Sequence, residues 1–399
     1  MATSRRRPRQ ALVAAIVLVG LATACSSSKG SDGSSSSADI RIMGVGTFQS
    51  PTLSLPDAAP SLTAHVDQIN AAGGVNGRKV KLILCDDKDD PNTAADCARR
   101  AVSEKVVAVL ETYTGHSPQI VPVLEAAKIP LLYNPSVASV DGTSDISFPR
   151  DTGVMSIYAG LGIELAKAGC KKGGAVVLSV APTQLAAQWL ERGFKTQGAS
   201  FAQASVGATQ ADFSAPVAKL LSQGVDCLVP VTAPDQGPKI VIAAQQSGKK
   251  VRIGAVSSEF SSTALKTLGA SAEGMIITGA EYLPADTAVP AVKDALDGMK
   301  QYQPNVAPVT AFSMDGWASV TALEQVLQNV DGQPTAESVL QAAGKTSPKT
   351  GLLADFSWQD EAPDTDFPRV KNWGYLVWTV KSGKAVLSSD GFVQAKGIF

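Results

Sequence analysis

The sequence is poor in histidine. His65 and His116 are the two it holds in 399 residues, and they lie far apart. A multi-histidine metal site and a double-histidine mechanism are therefore excluded. There is no excess of positive charge either: 35 Lys+Arg stand against 36 Asp+Glu, for a net charge of −1. Nucleic-acid recognition thus has no electrostatic support. Two common catalytic loops are missing. Gly344-Lys345-Thr346 has the ending of a P-loop, but Val339 stands where the first glycine is required. Gly269-Ala270-Ser271-Ala272-Glu273 has Glu where a G-x-S-x-G elbow needs its second glycine. What remains is a globular composition, 44% hydrophobic, in a length that suggests about two domains.

Residues 1–25 read as an address and not as part of the fold. Arg5, Arg6, Arg7 and Arg9 form a positive segment, and residues 11–24 form an apolar one. The apolar run is shorter than the ~20 residues of a membrane span. It ends in Leu21-Ala22-Thr23-Ala24-Cys25. Small residues directly before a cysteine resemble a bacterial lipobox, in which Cys25 would be lipidated and become the mature N-terminus. The alternative is an ordinary signal peptide with Cys25 incidental. Residues 26–38 are Ser/Gly-rich and have the composition of a flexible tether. Removing residues 1–24 takes away four Arg and no acid, which leaves 31 positive against 36 negative, or −5. The exported body carries no basic patch for anionic lipid.

Export also frames the cysteines. With Cys25 used for lipid, four remain. Cys85 follows a strand-like run and Cys97 lies on the next helix, so a local Cys85–Cys97 bridge is expected. Cys170 precedes one expected strand and Cys227 opens another, so Cys170–Cys227 is the second expected pair. Four buried free thiols are the alternative. None has a His or Cys-x-x-Cys partner that would make it catalytic.

The body alternates strand and helix. Strands are expected at Ile40–Val45, Lys79–Cys85, Val106–Leu110 and Pro130–Tyr133, with helices over 58–71, 92–104 and Pro118–Ala127. The rhythm restarts with helix 154–168 and strand Ala175–Val180. Helix 184–197, strand Phe201–Ala204, helix 212–223, strand Cys227–Val231 and helix 236–247 follow. Strands Val251–Ile253 and Met275–Thr278, helices 288–302 and 309–329, and a β-rich tail at Tyr375–Val380 and Ala385–Leu387 complete it. Pro230 is unsuited to the middle of a central strand and is expected at a strand's C-terminal end, beside a site. Two α/β units with parallel sheets imply two lobes and a ligand cleft at the facing strand ends.

Residues 69–92, INAAGGVNGRKVKLILCDDKDDPN, resemble the signature of the type I periplasmic binding proteins, specifically the branched-chain amino-acid (leucine/isoleucine/valine) binding family of ABC importers. Val121–Pro130, Asn134–Ala138, Phe148-Pro149-Arg150, Asp212-Phe213-Ser214 and Ala272–Met275 add matches in the family's order. The resemblance covers about residues 39–390. It implies two Rossmann-like lobes joined by a three-crossover hinge, with crossings near 147–152, 279–284 and 370–377. Lobe 1 would hold 39–149 and 283–372, and lobe 2 would hold 150–282 and 373–399.

The resemblance places ligand contacts on the strand-end loops. In Thr112–Ser117 the candidates are Tyr113, Thr114, His116 and Ser117. Hydroxyls there join the N-terminus of the helix opened by Pro118, although Ser117 could equally be its N-cap. The second loop supplies Ser136, Val137 and Ala138. Ala138 stands where amino-acid binders have a Thr that holds the ligand carboxylate, and Ser139 could substitute with a shift of one residue. Phe48 and Ser54 belong to the first loop. Lobe 2 would contribute Gln184 and Leu185, then Ala233 and Asp235 beside Pro234. Ser257 and Glu259 follow, with Glu259 one or two places later than the family's ammonium-gripping acid. Glu259 could instead be a solvated loop acid. Tyr282, at a hinge, could wall the cleft or pack the hinge. Asp86 and Asp87 read as strand-end caps.

The expected function is capture of a small organic ligand by lobe closure and delivery to an ABC permease. No enzyme activity, cofactor, metal or nucleic-acid partner is expected. The protein would act as a monomer, lipid-anchored on the outer face of the bacterial cell membrane. The alternatives are a ligand-sensing clamp that signals through a separate partner, and a binder of amides, urea or aromatic acids.

Overall fold

The structure is a computed structural model that describes residues 38–50, 54–306, 309–395 and 398. The expected signal peptide, Cys25 and all but the last residue of the tether lie outside the described residues.

The chain begins with β1 (Ile40–Gly46), α1 (Ala58–Ala71), β2 (Val80–Asp86), α2 (Pro91–Ser103), β3 (Ala108–Glu111), α3 (Ser117–Ala126), β4 (Leu131–Leu132), α4 (Ser139–Thr143) and β5 (Ser147–Phe148). These strands form one parallel sheet in the order β2-β1-β3-β4-β5. Alternation along β1 buries both faces, as a parallel sheet covered by helices requires. Ile40 and Ile42 pack with Leu62 and Val66 of α1, whereas Met43 and Val45 pack with Ile120 and Leu124 of α3. His65 belongs to the first of these layers. Its ring stacks on Trp317 at 4.1 Å, and its Nδ1 donates to the Trp317 carbonyl at 2.9 Å. Burial lowers its pKa to about 4, against the pull of that carbonyl and of Asp294. One of the two histidines is thus a neutral packing residue.

The second sheet is built from β6 (Lys172–Leu178), β7 (Ser200–Val206), β8 (Cys227–Val231), β9 (Arg252–Val256) and β10 (Ile276–Gly279). The helices α5 (Val154–Lys167), α6 (Ala181–Thr196), α7 (Ser214–Ser222), α8 (Gly237–Gln246) and α9 (Ser262–Leu268) accompany them. The chain then forms α10 (Pro290–Tyr302), α11 (Ala311–Gln328) and α12 (Ala336–Ala343), which pack on the first sheet's core. It returns to the second sheet with β11 (Gly374–Lys381), β12 (Lys384–Leu387) and β13 (Val393–Gln394). The order is β7-β6-β8-β9-β10-β11-β12, with β13 on β11. Pairing is parallel through β10 and antiparallel for the returning strands. Tyr375 and Val377 face the α5/α6 core, and Leu376, Trp378 and Val380 face the α7/α8 core. The chain therefore passes between the sheets three times: after β5, after β10 and before β11.

Several elements differ from expectation. Strand β6 begins at Lys172 and ends at Leu178, because Gly173 and Gly174 lie in it. Phe194 and Val225 fill the space that side chains at these positions would need. Helix α6 then starts at Ala181, with Pro182 in its first turn. The short α4, α9 and α12 were not expected. Pro230, by contrast, lies near the C-terminal end of β8 as expected, two residues beyond the last β8–β9 register pair at Leu228. The ladder on that side has ended before the missing N–H would be needed.

Both expected disulfides are present, with Cα–Cα separations of 5.7 Å for Cys85–Cys97 and 5.9 Å for Cys170–Cys227. They close loops of 12 and 57 residues. Loop-closure entropy then assigns about 3 and about 4 kcal/mol to the two bridges. Paired Cys→Ser variants, unfolded in urea, should lose stability in that order, and a larger loss from the 12-residue bridge would contradict the entropic account.

Candidate functional site

The C-terminal ends of β1, β3 and β4 carry three loops that are tied together by polar contacts. Thr47 N donates to the Tyr113 carbonyl at 2.9 Å, and the Thr47 hydroxyl donates to Asp87 at 2.7 Å. Asp86 accepts from the N–H groups of Phe48 and Lys88, both at 3.0 Å. Both acids therefore brace the loops. Phe48 and Leu55 form a small apolar patch with Tyr113 and Phe312, in which the Tyr113 and Phe312 rings meet edge-on at 6.0 Å. Ser54 is exposed, and its hydroxyl donates to the Phe48 carbonyl at 3.3 Å.

Thr114 is buried, and its Oγ1 accepts from His116 N at 3.0 Å. The His116 ring meets Asp89 at 3.2 Å, at the rim. Ser117 is the first residue of α3, and its side chain makes no cap. Its hydroxyl is buried and has no hydrogen-bond partner among the described residues. Glu111 ends β3 fully buried. Burial raises its pKa well above the carboxylate range, Asp141 and Asp87 add to the rise, and Arg150 opposes it. Burial also raises Asp141, to about 7. Asp141 Oδ2 accepts from Val137 N at 3.0 Å and Ala138 N at 2.8 Å. Ser136 is buried, and among the described residues its hydroxyl has no partner. The loop abuts the first passage between the sheets. Gly153 has φ +58°, and a side chain there would strike the Ser136 backbone.

From the second sheet, Tyr158 of α5 donates its hydroxyl to Glu259 Oε1 at 3.1 Å, and Thr232 N donates to the same oxygen at 3.2 Å. Glu259 is 3% exposed, and its Oε2 is buried without a partner among the described residues. It ends a short 3-10 turn, Ser257–Glu259, directly after β9. Burial raises its pKa to about 8, against the pull of Thr232 and Tyr158. The Tyr158 hydroxyl pKa is raised by burial and by Glu259.

Other expected residues sit elsewhere. Gln184 and Leu185 belong to α6 and not to a loop; Gln184 donates to the Leu178 carbonyl at 3.4 Å and Leu185 packs on the α5/α6 core. Ala233 is half-buried, and Asp235 is exposed beside Lys239 at 3.4 Å. The Ser257 hydroxyl donates to Glu281 at 3.3 Å. Tyr282 packs edge-on against Phe392 at 5.2 Å. An open cavity of about 680 Å³ lies at the opposite ends of the second sheet's strands, around Cys170–Cys227 and Arg252. It shares no residue with the loops above.

Sequence reasoning missed Tyr158, Thr232, Glu111 and Asp141, and also a buried charge cluster at the passages. Arg150 Nη2 meets Asp315 at 2.9 Å and its Nε meets Asp151 at 3.1 Å. Its Nη1 donates to the Tyr133 carbonyl at 3.0 Å and Nη2 to the Thr112 carbonyl at 3.4 Å. Burial alone would lower the guanidinium pKa, but Asp315, Asp151 and Glu281 together raise it. Glu281, on the second passage, is pushed well up by burial, Asp315 and Asp151. On the third passage Asn372 donates to the Arg150 carbonyl at 2.9 Å. The one available signal was Phe148-Pro149-Arg150, a charged residue directly after an apolar run.

Two tests follow from these charges. Arg150→Met leaves Asp151, Asp315 and Glu281 without their cation, which should cost about 3–5 kcal/mol in chemical unfolding. A carboxyl raised in the folded state adds stability that is complete below its unfolded pKa and is lost as pH rises through the folded value. The contribution of Glu259 should therefore disappear as pH rises from about 4.5 to about 8. Unfolding of the unliganded protein at pH 5 and pH 9 should show this fall, and Glu259→Gln should flatten it. An unchanged slope in that variant would contradict the assignment.

The comparisons agree with this geometry. A family model described as periplasmic binding protein matches residues 40–370. The Leu/Ile/Val-binding protein of Escherichia coli strain K12 is 22% identical over 318 residues, covering 76% of this chain and 83% of that protein. The structure of a branched-chain amino acid ABC transporter from Thermus thermophilus with bound valine superposes with a TM-score of 0.74 at 18% identity, covering 90% of this chain and 97% of that one. A fatty acid ABC transporter substrate-binding protein from Thermomonospora curvata superposes with a TM-score of 0.72 at 16% identity, covering 90% and 93%. With two α/β sheets, three passages between them and a family match over most of its length, the chain belongs to the periplasmic binding protein family, with the type I fold.

Proposed function

We propose that this protein is an extracytoplasmic solute-binding lipoprotein. It captures a small organic ligand, an amino acid or a related small carboxylate or amide, and delivers it to an ABC importer. The observation that carries this reading is Glu259: a buried carboxyl with two donors on one oxygen and none on the other. Such a group needs a further donor or a cation. It sits at a strand end, where ligands of open α/β sheets bind, and it is held there by Tyr158 of α5. An ammonium or amide N–H of a ligand fits that need. The bound valine of the Thermus relative and the leucine, isoleucine and valine in the name of the Escherichia coli relative support an amino-acid-sized ligand. The fatty acid named for the Thermomonospora protein supports a scaffold that accepts other chemistry.

In this reading lobe 1 comprises 39–149 and 283–372, and lobe 2 comprises 150–282 and 373–399. The ligand docks on one lobe and the passages bend until the other closes over it. Closure follows because contacts to both lobes exist only in the closed state, and that difference in affinity is what shifts the equilibrium. The closed monomer is recognised by a membrane permease. Among the described residues no helix is long and apolar enough to cross a membrane; attachment instead runs through lipid on Cys25.

A ligand at about 100 times its Kd should stabilise the protein by about 2.7 kcal/mol in thermal unfolding. The panel comprises branched-chain and other amino acids, amides, urea and aromatic acids. Glu259→Gln should remove most of the shift, and an equal shift in that variant would contradict the reading. Radiolabelled palmitate should enter the protein in its bacterial host and be lost in Cys25→Ala; retained label would overturn the anchor.

A further inference from the structure

Glu259 is a buried carboxyl served by neutral donors alone. Its Oε1 accepts from the Tyr158 hydroxyl at 3.1 Å and from Thr232 N at 3.2 Å. Its Oε2 is buried and has no partner among the described residues. The charged groups on the surrounding elements are engaged elsewhere. On α5, Glu164 holds Lys167 at 2.9 Å. After β8, Asp235 lies beside Lys239 at 3.4 Å. On α11, Asp315 meets Arg150 at 2.9 Å, and Arg150 also meets Asp151 at 3.1 Å. Glu281, two residues beyond β10, accepts from the Ser257 hydroxyl at 3.3 Å, and is itself an acid. Lys266, on the helix that follows the turn, is exposed. None of these gives Glu259 a cation.

A carboxyl desolvated in this way keeps its proton unless a positive charge pairs with it. Burial accordingly holds its pKa at about 8, against the pull of Thr232 and Tyr158. A ligand ammonium is the missing positive charge. Docked on Oε2, it attracts the ionised carboxyl far more than the neutral one, so its arrival favours ionisation. The carboxyl O–H bond breaks, its electron pair stays on the carboxylate, and the proton passes to solvent while the ammonium keeps its own.

We infer that capture of an ammonium-bearing ligand expels one proton from Glu259, so that uptake strengthens as the surroundings turn from acid to neutral. This coupling rests on the reading of Glu259 as the ligand's anchor and adds the protonation state from which the anchor starts. Its sign follows from competition. Below the unliganded pKa the ligand must displace a proton, and affinity rises about tenfold per pH unit. Above about pH 8 the carboxyl is already ionised and the gain ends.

The probes are L-leucine, L-valine, L-phenylalanine, isobutylamine and phenethylamine, all ammonium ions at pH 7. Calorimetry on the wild-type protein at pH 7.0, in phosphate and in ACES buffer, separates proton release from binding heat. Each probe that binds should release about 0.9 proton, and its affinity should rise about tenfold from pH 6 to pH 7. Glu259→Gln copies the neutral acid, should fold, and should bind weakly with no release and no such pH dependence. Binding by the wild-type protein without release, or release unchanged in Glu259→Gln, overturns the coupling; if that variant still weakens binding, the anchor reading stands. Affinity untouched by Glu259→Gln overturns both. A further arm needs no ligand: infrared spectra of the unliganded protein at pH 6.5 should show a protonated-carboxyl band that is weaker in Glu259→Gln than in wild type. Equal bands overturn the coupling whether or not any probe binds.

Discussion

Arg150 is the constraint on which the arrangement of this molecule depends. Each sheet is covered on both faces by its own apolar layers, so hydrophobic burial fixes each sheet internally but says little about how the chain runs between them. That is left to the passages, and there the packing is polar. One guanidinium meets Asp151 on its own passage and Asp315 on α11. It faces Glu281 on the second passage, and its backbone carbonyl accepts from Asn372 on the third. A buried cluster of this kind is a poor source of stability, because desolvating the charges consumes most of their attraction. Its value is geometric: a single cation with three acids around it has one arrangement that satisfies them.

The same guanidinium donates to the carbonyls of Tyr133 and Thr112. Those residues directly follow β4 and β3, in two of the segments nearest the candidate site. The passages and the binding loops are therefore one polar unit. A movement of the first passage displaces the donors of Tyr133 and Thr112, and with them the loops that carry Thr114 and Ser136. Gly153 tightens the coupling, since its backbone lies directly on that of Ser136. The two walls carry buried carboxyls of the same kind. On the first sheet, Asp141 Oδ2 accepts from Val137 and Ala138, and Oδ1 has no partner among the described residues. On the second, Glu259 Oε1 accepts from Tyr158 and Thr232, and Oε2 has none.

Much of this was legible in the sequence, and what was not has a common cause. Apolar alternation marked the strands because a two-residue repeat must bury both faces of a covered sheet. The cysteines could be paired because Cys85 ended an expected strand with Cys97 on the helix that follows, while Cys170 and Cys227 each lay at the start of an expected strand. Helix α6 moved because Gly173 and Gly174, which look like loop residues, are strand residues tucked under Phe194 and Val225. That shift brings Ala181, Pro182 and Thr183 into the helix ahead of Gln184 and Leu185. The sequence left open whether Glu259 was a solvated loop acid, whereas in the structure it ends a short turn and is buried. Tyr158 could not be found at all, because it stands in an unbroken apolar helix where a tyrosine reads as core. Its polar contact shows only once β9 brings Glu259 within reach of its hydroxyl.

The buried acids were hidden for a related reason. Glu111 closes an apolar strand and Asp141 sits in a short polar stretch; in a sequence, such residues read as a strand end and a helix cap. Asp141 is in fact a cap, accepting from the backbone three residues before it. The N–H groups of Val137 and Ala138 are thereby satisfied within their own loop. A scaffold shared with proteins whose ligands range from valine to fatty acid can change what it binds through its loops without altering a strand, because the sheet positions the loop ends while the loop's own hydrogen bonds decide which of their polar groups stay open.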